Sequence, residues 1–261
     1  MARTPEYLIL DIETVPDVER WQRPDVPEGA PPGREHREAF PPTWAHRIVV
    51  VGWIWLDQSY RLKQIGVLGD APPSAGTTAD DRERALLVEL STAIGRRKPV
   101  LVTYNGRSFD LPVIAQRSLC HAVPIGWYYR ERGIRYRFSE DGHLDLCDWL
   151  ADHGATRAGK LDQVARLIGL PGKVGIDGSQ VEGLYQAGDL AAIQTYCLAD
   201  VAQTALLLLR FRLLQAQLSV EAYHDRMAAL LDALAADGRV ADVLAGIDRA
   251  RLLGPAPAAE A

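Results

Sequence analysis

Residues 7 to 14 read YLILDIET, a short apolar run leading straight into two acids, Asp11 and Glu13. An apolar run of this length reads as a buried strand. Side chains two apart on a strand share a face, so both acids point the same way where this strand is expected to end. The chain is therefore restricted to folds in which a sheet delivers a pair of carboxylates to one place.

The remaining segments supply a sheet and its helical cover. Ile48 to Leu56 (IVVVGWIWL) and Leu62 to Leu68 read as two strands joined by a polar turn, and Val100 to Tyr104 as a fourth. Trp53 and Trp55 are expected in the core or as sheet cover. From Asp80 the apolar spacing turns helical, with Arg96, Arg97 and Lys98 at the end that the dipole favours and Pro99 as the stop. Ser108 is a candidate N-cap for a helix to about Leu119, with Pro112 in its first turn. His143 to Leu146 is a short strand, and Leu161 to Ile168 a helix ended by Gly169. Leu190 to about Leu218 is a long helix, with one or two more over Val220 to Leu253. Strands followed by alternation with helices predict an α/β sheet with helices packed on it.

These readings divide the chain into a domain over 1–218, a helical extension over 219–253 and a flexible tail over 254–261. Residues 16 to 42 carry seven of the sixteen prolines and few apolar residues, so 16–47 reads as a long irregular insertion. It leaves directly from Glu13 and is expected to border whatever binds there.

Composition narrows the function classes. No run of eighteen apolar residues exists, which argues against a membrane span. The N-terminal apolar run is too short for a signal peptide, so a cytoplasmic location is expected. Cys120, Cys147 and Cys197 are far apart and read as reduced core residues, with neither a disulfide frame nor a zinc site. The histidines form no HxxxH or HExxH pair. A net charge of −5 does not advertise a nucleic-acid binder, yet Arg130, Arg132, Arg135 and Arg137 crowd into YYRERGIRYRF.

Two further acids stand on helical segments. Asp110 in YNGRSFDLPVI falls in a first helical turn, and Asp200 in YCLADV lies four after Tyr196, so those two share a helix face. Each has an ordinary reading: Asp11 can simply close a strand, Asp110 is favoured by the helix dipole, and Tyr196 can be a core aromatic. Four carboxylates gathered together need a positive partner, and a pair of divalent cations is the natural one. Hard oxygen donors favour Mg²⁺ or Mn²⁺ over zinc, and two such ions suit phosphodiester cleavage. A Tyr hydroxyl on the same face can orient an attacking water.

DIETVP, NGRSFDLPVI and YCLADV, in that order, resemble the three exonuclease motifs of the DEDD superfamily. Tyr196 four before Asp200 is the tyrosine version, since the histidine version needs His at the position held by Thr195. The resemblance is greatest to the stand-alone 3′–5′ exonucleases related to the proofreading domain of B-family DNA polymerases. HLDLCDWL, KLDQVARLIGLPGK and GIDGSQVEGLYQAGDL also look like that family, and the resemblance spans about residues 6 to 213.

It implies a ribonuclease H-like fold, a mixed central sheet flanked by helices. It also implies metal-dependent hydrolysis from 3′ ends of single-stranded DNA or, by the same chemistry, RNA. Carried over, Asp11 bridges both cations, Glu13 and Asp200 complete the site that activates water, Asp110 serves the second, and Tyr196 orients the nucleophile. Asn105, Phe109 and Thr14 are implied near the terminal nucleotide. Asp145 is expected to be structural, and Asp148 a surface or capping residue. Arg135 and Arg137 read either as a solvated edge or as a strand facing phosphates, and Lys173 as a loop residue or a phosphate contact. A module that kept the fold but lost turnover is the competing class.

Overall fold

The computed structural model describes residues 6–24, 40–69 and 76–254, so the middle of the proline-rich insertion and the tail after 254 lie outside the described residues. The strands are β1 (Tyr7–Pro16), β2 (His46–Leu56), β3 (Leu62–Leu68), β4 (Val100–Thr103) and β5 (His143–Asp145). They form a five-stranded sheet in the order β3-β2-β1-β4-β5. The pairs β1–β2 and β2–β3 are antiparallel, whereas β1–β4 and β4–β5 are parallel. Helices α1 (Ala79–Arg97) and α2 (Asp110–Cys120) are followed by the short α3 (Gly126–Arg130), α4 (Arg132–Arg135) and α5 (Leu146–Leu150). Then come α6 (Leu161–Leu167), α7 (Val181–Gln186), the long α8 (Leu190–Leu214), α9 (Val220–Asp237), α10 (Ala241–Ala245) and α11 (Arg249–Leu253). A mixed sheet covered on both faces is the ribonuclease H-like arrangement.

Alternation along β1 decides which helix meets which residue. Leu8, Leu10 and Ile12 pack in one core with Leu86, Leu87 and Leu90 of α1 and with Val113 and Ile114 of α2. Ile9 faces the other way, into a core built from Val201, Ala202, Ala205 and Leu206 of α8. Asp11 and Glu13 continue the Ile9 face, so the sheet presents them to the N-terminal half of α8. That core also takes in Tyr223, Met227, Leu230 and Leu234 of α9 and Leu252 of α11, which makes those helices part of the same packing unit as the sheet.

Several expectations shift. β1 does not end at Asp11 but pairs with β2 from Tyr7↔Leu56 to Pro16↔His46, with a register shift between Glu13 and Thr14. The long apolar β2 gives the mixed segment DIETVP a partner that its own composition does not announce. Ser108 is not the cap of α2; Phe109 holds that position without a side-chain cap, so Asp110 is the first helical residue. Residues 132–135 form a helix, so of the two readings of Arg135 and Arg137, solvated edge or strand, the strand does not hold. Cys120 is exposed, while Cys147 and Cys197 are buried. The region after Val220 forms three helices, the first ended by Gly238 in the left-handed conformation.

One glycine sets the distance between α8 and the sheet. Gly52 stands opposite Asp11, and a Cβ there would lie 2.7 Å from Cys197 Sγ and 3.2 Å from the Cys197 carbonyl oxygen. Gly52→Ala is expected to cost about 1–3 kcal/mol by overpacking, read as a lower urea midpoint. A midpoint within error of the parent would show that α8 has slack.

Candidate active site

Each carboxylate is delivered by a different piece of fold logic. Asp11 and Glu13 come from the α8-facing side of β1, with Glu13 buried and Asp11 half-buried. Asp110 is placed by the connection from β4 into α2. Asn105 adopts φ +68°, and a Cβ on Gly106 would strike the Thr103 side chain at 2.5 Å, so the turn needs glycine there. Asp145, at the end of β5, accepts from the backbone N–H of Asn105 and Arg107 at 2.8 Å each and from Cys147 at 3.1 Å. It thereby holds the turn as expected of a structural carboxylate. Tyr196, Cys197 and Asp200 occupy successive positions of the α8 surface that lies over β1.

The cluster is electrostatically costly. Burial raises the pKa of Asp11 well above the carboxylate range, and Asp110, Glu13 and Asp200 raise it further. Burial does the same to Glu13, reinforced by Asp200 and Asp110. Asp110 is pushed by burial to about 7 despite backbone hydrogen bonds from its own residue and Ile12. Burial takes Asp200 to about 6, opposed by hydrogen bonding from the Tyr196 hydroxyl and the charge of Lys173. Tyr196 is itself raised, by burial first and then by Asp200, so it remains a neutral hydroxyl.

Among the described residues none of these four acids has an ion-pair partner, and Lys173 is paired instead with Asp177. Asp110 Oδ1 is buried without any hydrogen-bond partner. Ligand atoms of Asp11, Glu13 and Cys197 lie within 4.8 Å of one another. Crowded, buried carboxylate oxygens with an orphaned acceptor fit a hard divalent cation.

A cleft of about 490 Å³ adjoins Glu13, lined by Thr14, Phe40, His46, Phe109, Gly178 and Glu182 among others. Thr14 Oγ1 bonds His46 Nδ1 at 2.9 Å, and the His46 ring packs edge-on against Phe109 with centroids 4.9 Å apart. Thr14 and Phe109 thus flank the acids, whereas the Asn105 side chain is exposed on the turn before them. Arg23, from the start of the insertion, reaches Glu182 at 2.8 Å, which places that segment at the cleft's edge.

Other candidates lie apart from the acids. Arg135 ends α4 with its guanidinium over Tyr129, and Arg137 is ion-paired to Asp148. Asp148 is no simple surface residue, since it also holds His153 at 3.1 Å. Lys173 faces the site only through its charge on Asp200.

Sequence reasoning missed His46, Cys197 and Gly52. It also missed a buried ion network behind the site. Arg117 of α2 grips Glu83 through Nε at 2.7 Å and Nη2 at 2.5 Å, and Asp17 through Nη1 at 2.8 Å. Arg47 bonds Asp17 at 3.1 Å and Asp80 at 2.6 Å. Residue type alone could not flag these positions, because charged residues are ordinarily exposed.

A family described as predicted 3′–5′ exonuclease related to the exonuclease domain of PolB matches residues 38–245. The match continues past Leu213, the end of the motif resemblance, and begins after Asp11 and Glu13. No curated protein matches the chain. Among solved structures, a product-bound exonuclease I is similar at 14% identity and TM-score 0.40, over 84% of this chain and 49% of that one. Exonuclease I of E. coli in complex with a dT13 oligonucleotide is similar at 13% identity and TM-score 0.40, over 76% and 43%. The zinc-bound E. coli exonuclease I–ssDNA complex is similar at 13% identity and TM-score 0.40, over 77% and 43%. The chain spans about half the length of those proteins or less. Divalent metal use is implied by the family, and the fold and the carboxylate cluster are in keeping with it: the chain belongs to the predicted 3′–5′ exonucleases related to the exonuclease domain of PolB, which are phosphodiester hydrolases.

Proposed function

We propose that this chain is a tyrosine-type DEDD exonuclease that removes nucleoside 5′-monophosphates from the 3′ end of single-stranded nucleic acid, with DNA favoured. The observation that carries the reading is the set of four crowded acids, buried Glu13 and Asp110 and half-buried Asp11 and Asp200, with raised pKa values and, among the described residues, no ion-pair partner. Such an arrangement is costly unless it holds Mg²⁺ or Mn²⁺. Asp11 would serve two ions, Glu13 and Asp200 one, and Asp110 the other.

Two divalent cations in such a site activate water and stabilise the departing 3′-oxygen. The chain's own groups do the remaining work. Tyr196, kept neutral by burial and by Asp200, holds a water by hydrogen bond rather than taking its proton. Thr14 and the Phe109 ring bound the cleft beside Glu13, where the terminal nucleotide would sit. Water adds to phosphorus, the bond to the 3′-oxygen breaks, and a shortened strand leaves with a new 3′-hydroxyl.

Incubating the protein with 5′-labelled single-stranded DNA, duplex DNA and RNA, in Mg²⁺, Mn²⁺ or EDTA, tests the reading. The expected result is a metal-dependent ladder from the 3′ end, with single-stranded DNA cut fastest. Absence of hydrolysis with every substrate and metal would overturn it, and RNA cut fastest would reassign the substrate. Tyr196→Phe is expected to lower kcat about ten- to a hundredfold with KM changed less than about twofold. An unchanged kcat would remove Tyr196 from the mechanism.

A further inference from the structure

The arginine-rich stretch is also an exposed aromatic surface. Tyr129, Tyr136 and Phe138 are 60%, 54% and 59% exposed within ten residues of one another. Their rings are braced rather than loose. Tyr129 stands edge-on to Tyr128 at 5.0 Å and Tyr136 edge-on to Phe138 at 6.0 Å, while Phe138 packs on the His153 ring at 4.7 Å.

The Arg135 guanidinium lies over Tyr129, 5.2 Å from the ring centroid, and over Tyr128 at 5.8 Å. Arg130, Arg132 and Arg135 are exposed and, among the described residues, have no carboxylate within ion-pair distance, whereas Arg137 is spent on Asp148. In a chain of net charge −5, three arginines with no ion-pair partner among the described residues thus stand beside three solvent-facing rings.

The patch is tied to the active-site turn. Arg107, three residues before Asp110, donates from Nη1 to the Arg135 carbonyl oxygen at 3.3 Å and contacts His143 Nδ1 through Nη2 at 3.2 Å. Close backbone contact between Gly133 and Gly142, where a Cβ would meet main chain at 2.5–2.8 Å, fixes the segment to the strand edge at β5.

We propose that residues 129–138 form a stacking platform for the single strand upstream of the 3′ end, an inference that rests on the exonuclease reading. Aromatic faces accept any base, and the free guanidinium groups meet the backbone phosphates. A strand too short to reach the platform would be held by the cleft alone, so the surface makes affinity depend on strand length and not on sequence.

The test compares the parent with Tyr129→Ala/Tyr136→Ala/Phe138→Ala on a trinucleotide and on a strand of about twenty nucleotides. All three rings are exposed, and an unchanged thermal midpoint would show the fold intact. Loss of even one stacked base is expected to raise KM for the long strand at least about fivefold, with kcat and the trinucleotide KM unchanged. Equal KM values for parent and variant on the long strand would overturn the platform, as would equal losses on both substrates.

Fluorescence anisotropy of the labelled long strand in EDTA reads the surface without turnover. A parent that binds but never cuts would defeat the exonuclease reading, and a weaker-binding triple variant would still support the platform. Arg130→Glu/Arg132→Glu should weaken long-strand binding and flatten its salt dependence. A triple variant that loses self-association by sedimentation while binding the strand as before would assign the patch to a second copy and overturn the proposal.

Discussion

Asp200→Asn and Asp11→Asn are each expected to reduce hydrolysis at least about a thousandfold, because each removes a charge that the cations of a two-ion site require. The same substitutions should make the metal-free protein more stable. The raised pKa values mean that the folded state holds these protons more tightly than the unfolded chain does. That stabilising contribution is fully present below the ordinary carboxylate range. It is lost as pH rises through the folded values, about 6 for Asp200 and about 7 for Asp110. In EDTA the parent's thermal midpoint should therefore fall between about pH 4 and about pH 7, and Asp200→Asn should reduce the fall. Mn²⁺ should restore the parent's midpoint at the higher pH but not the variant's. A flat profile with full activity in Asp200→Asn would show that the acids are neither coupled nor ligands.

The second large effect lies in the ion network. Arg117→Met is expected to cost about 3–5 kcal/mol in urea unfolding, because it leaves two buried carboxylates, Glu83 and Asp17, short of charge. Arg117 sits on α2 seven residues, two helical turns, after Asp110, so it clamps the helix that presents Asp110. Its acceptors lie on α1 and just past the end of β1, and Glu83 also accepts from the Ile48 N–H at 2.9 Å. Three structural pieces that frame the carboxylates thus meet on one guanidinium. Arg117→Lys should recover little, since one ammonium cannot reproduce the two-pronged contact with Glu83. A loss below about 1 kcal/mol for Arg117→Met would show that Arg47, together with His121, whose Nε2 lies 2.8 Å from Glu83, holds the network without it.

Much of this architecture is readable from local pattern. β3 has the same bounds in the sequence reading and the structure, and α1 differs by a residue at each end, because Thr78 and Asp81 form a capping box just before a helical apolar period and Lys98 turns left-handed to end it. The short helices α3 to α5 and α7 were not legible. Each has four to six residues, too few for a period to show. β1 was read too short because its second half is strand only through pairing with β2.

By itself the sequence determined the order and spacing of the acids, hence the family resemblance, the shared face of Asp11 and Glu13 and the shared face of Tyr196 and Asp200. Backbone periodicity is enough for those, since it acts over a few residues. Only the tertiary structure decided that the two faces meet, because that depends on Gly52 opposite Cys197 and on Ile9 packing against α8. It also decided which charges were free. Arg117 and Arg137 look alike in sequence to Arg130 and Arg132, and among the described residues ion pairing with acids elsewhere in the fold separates the first two from the second two.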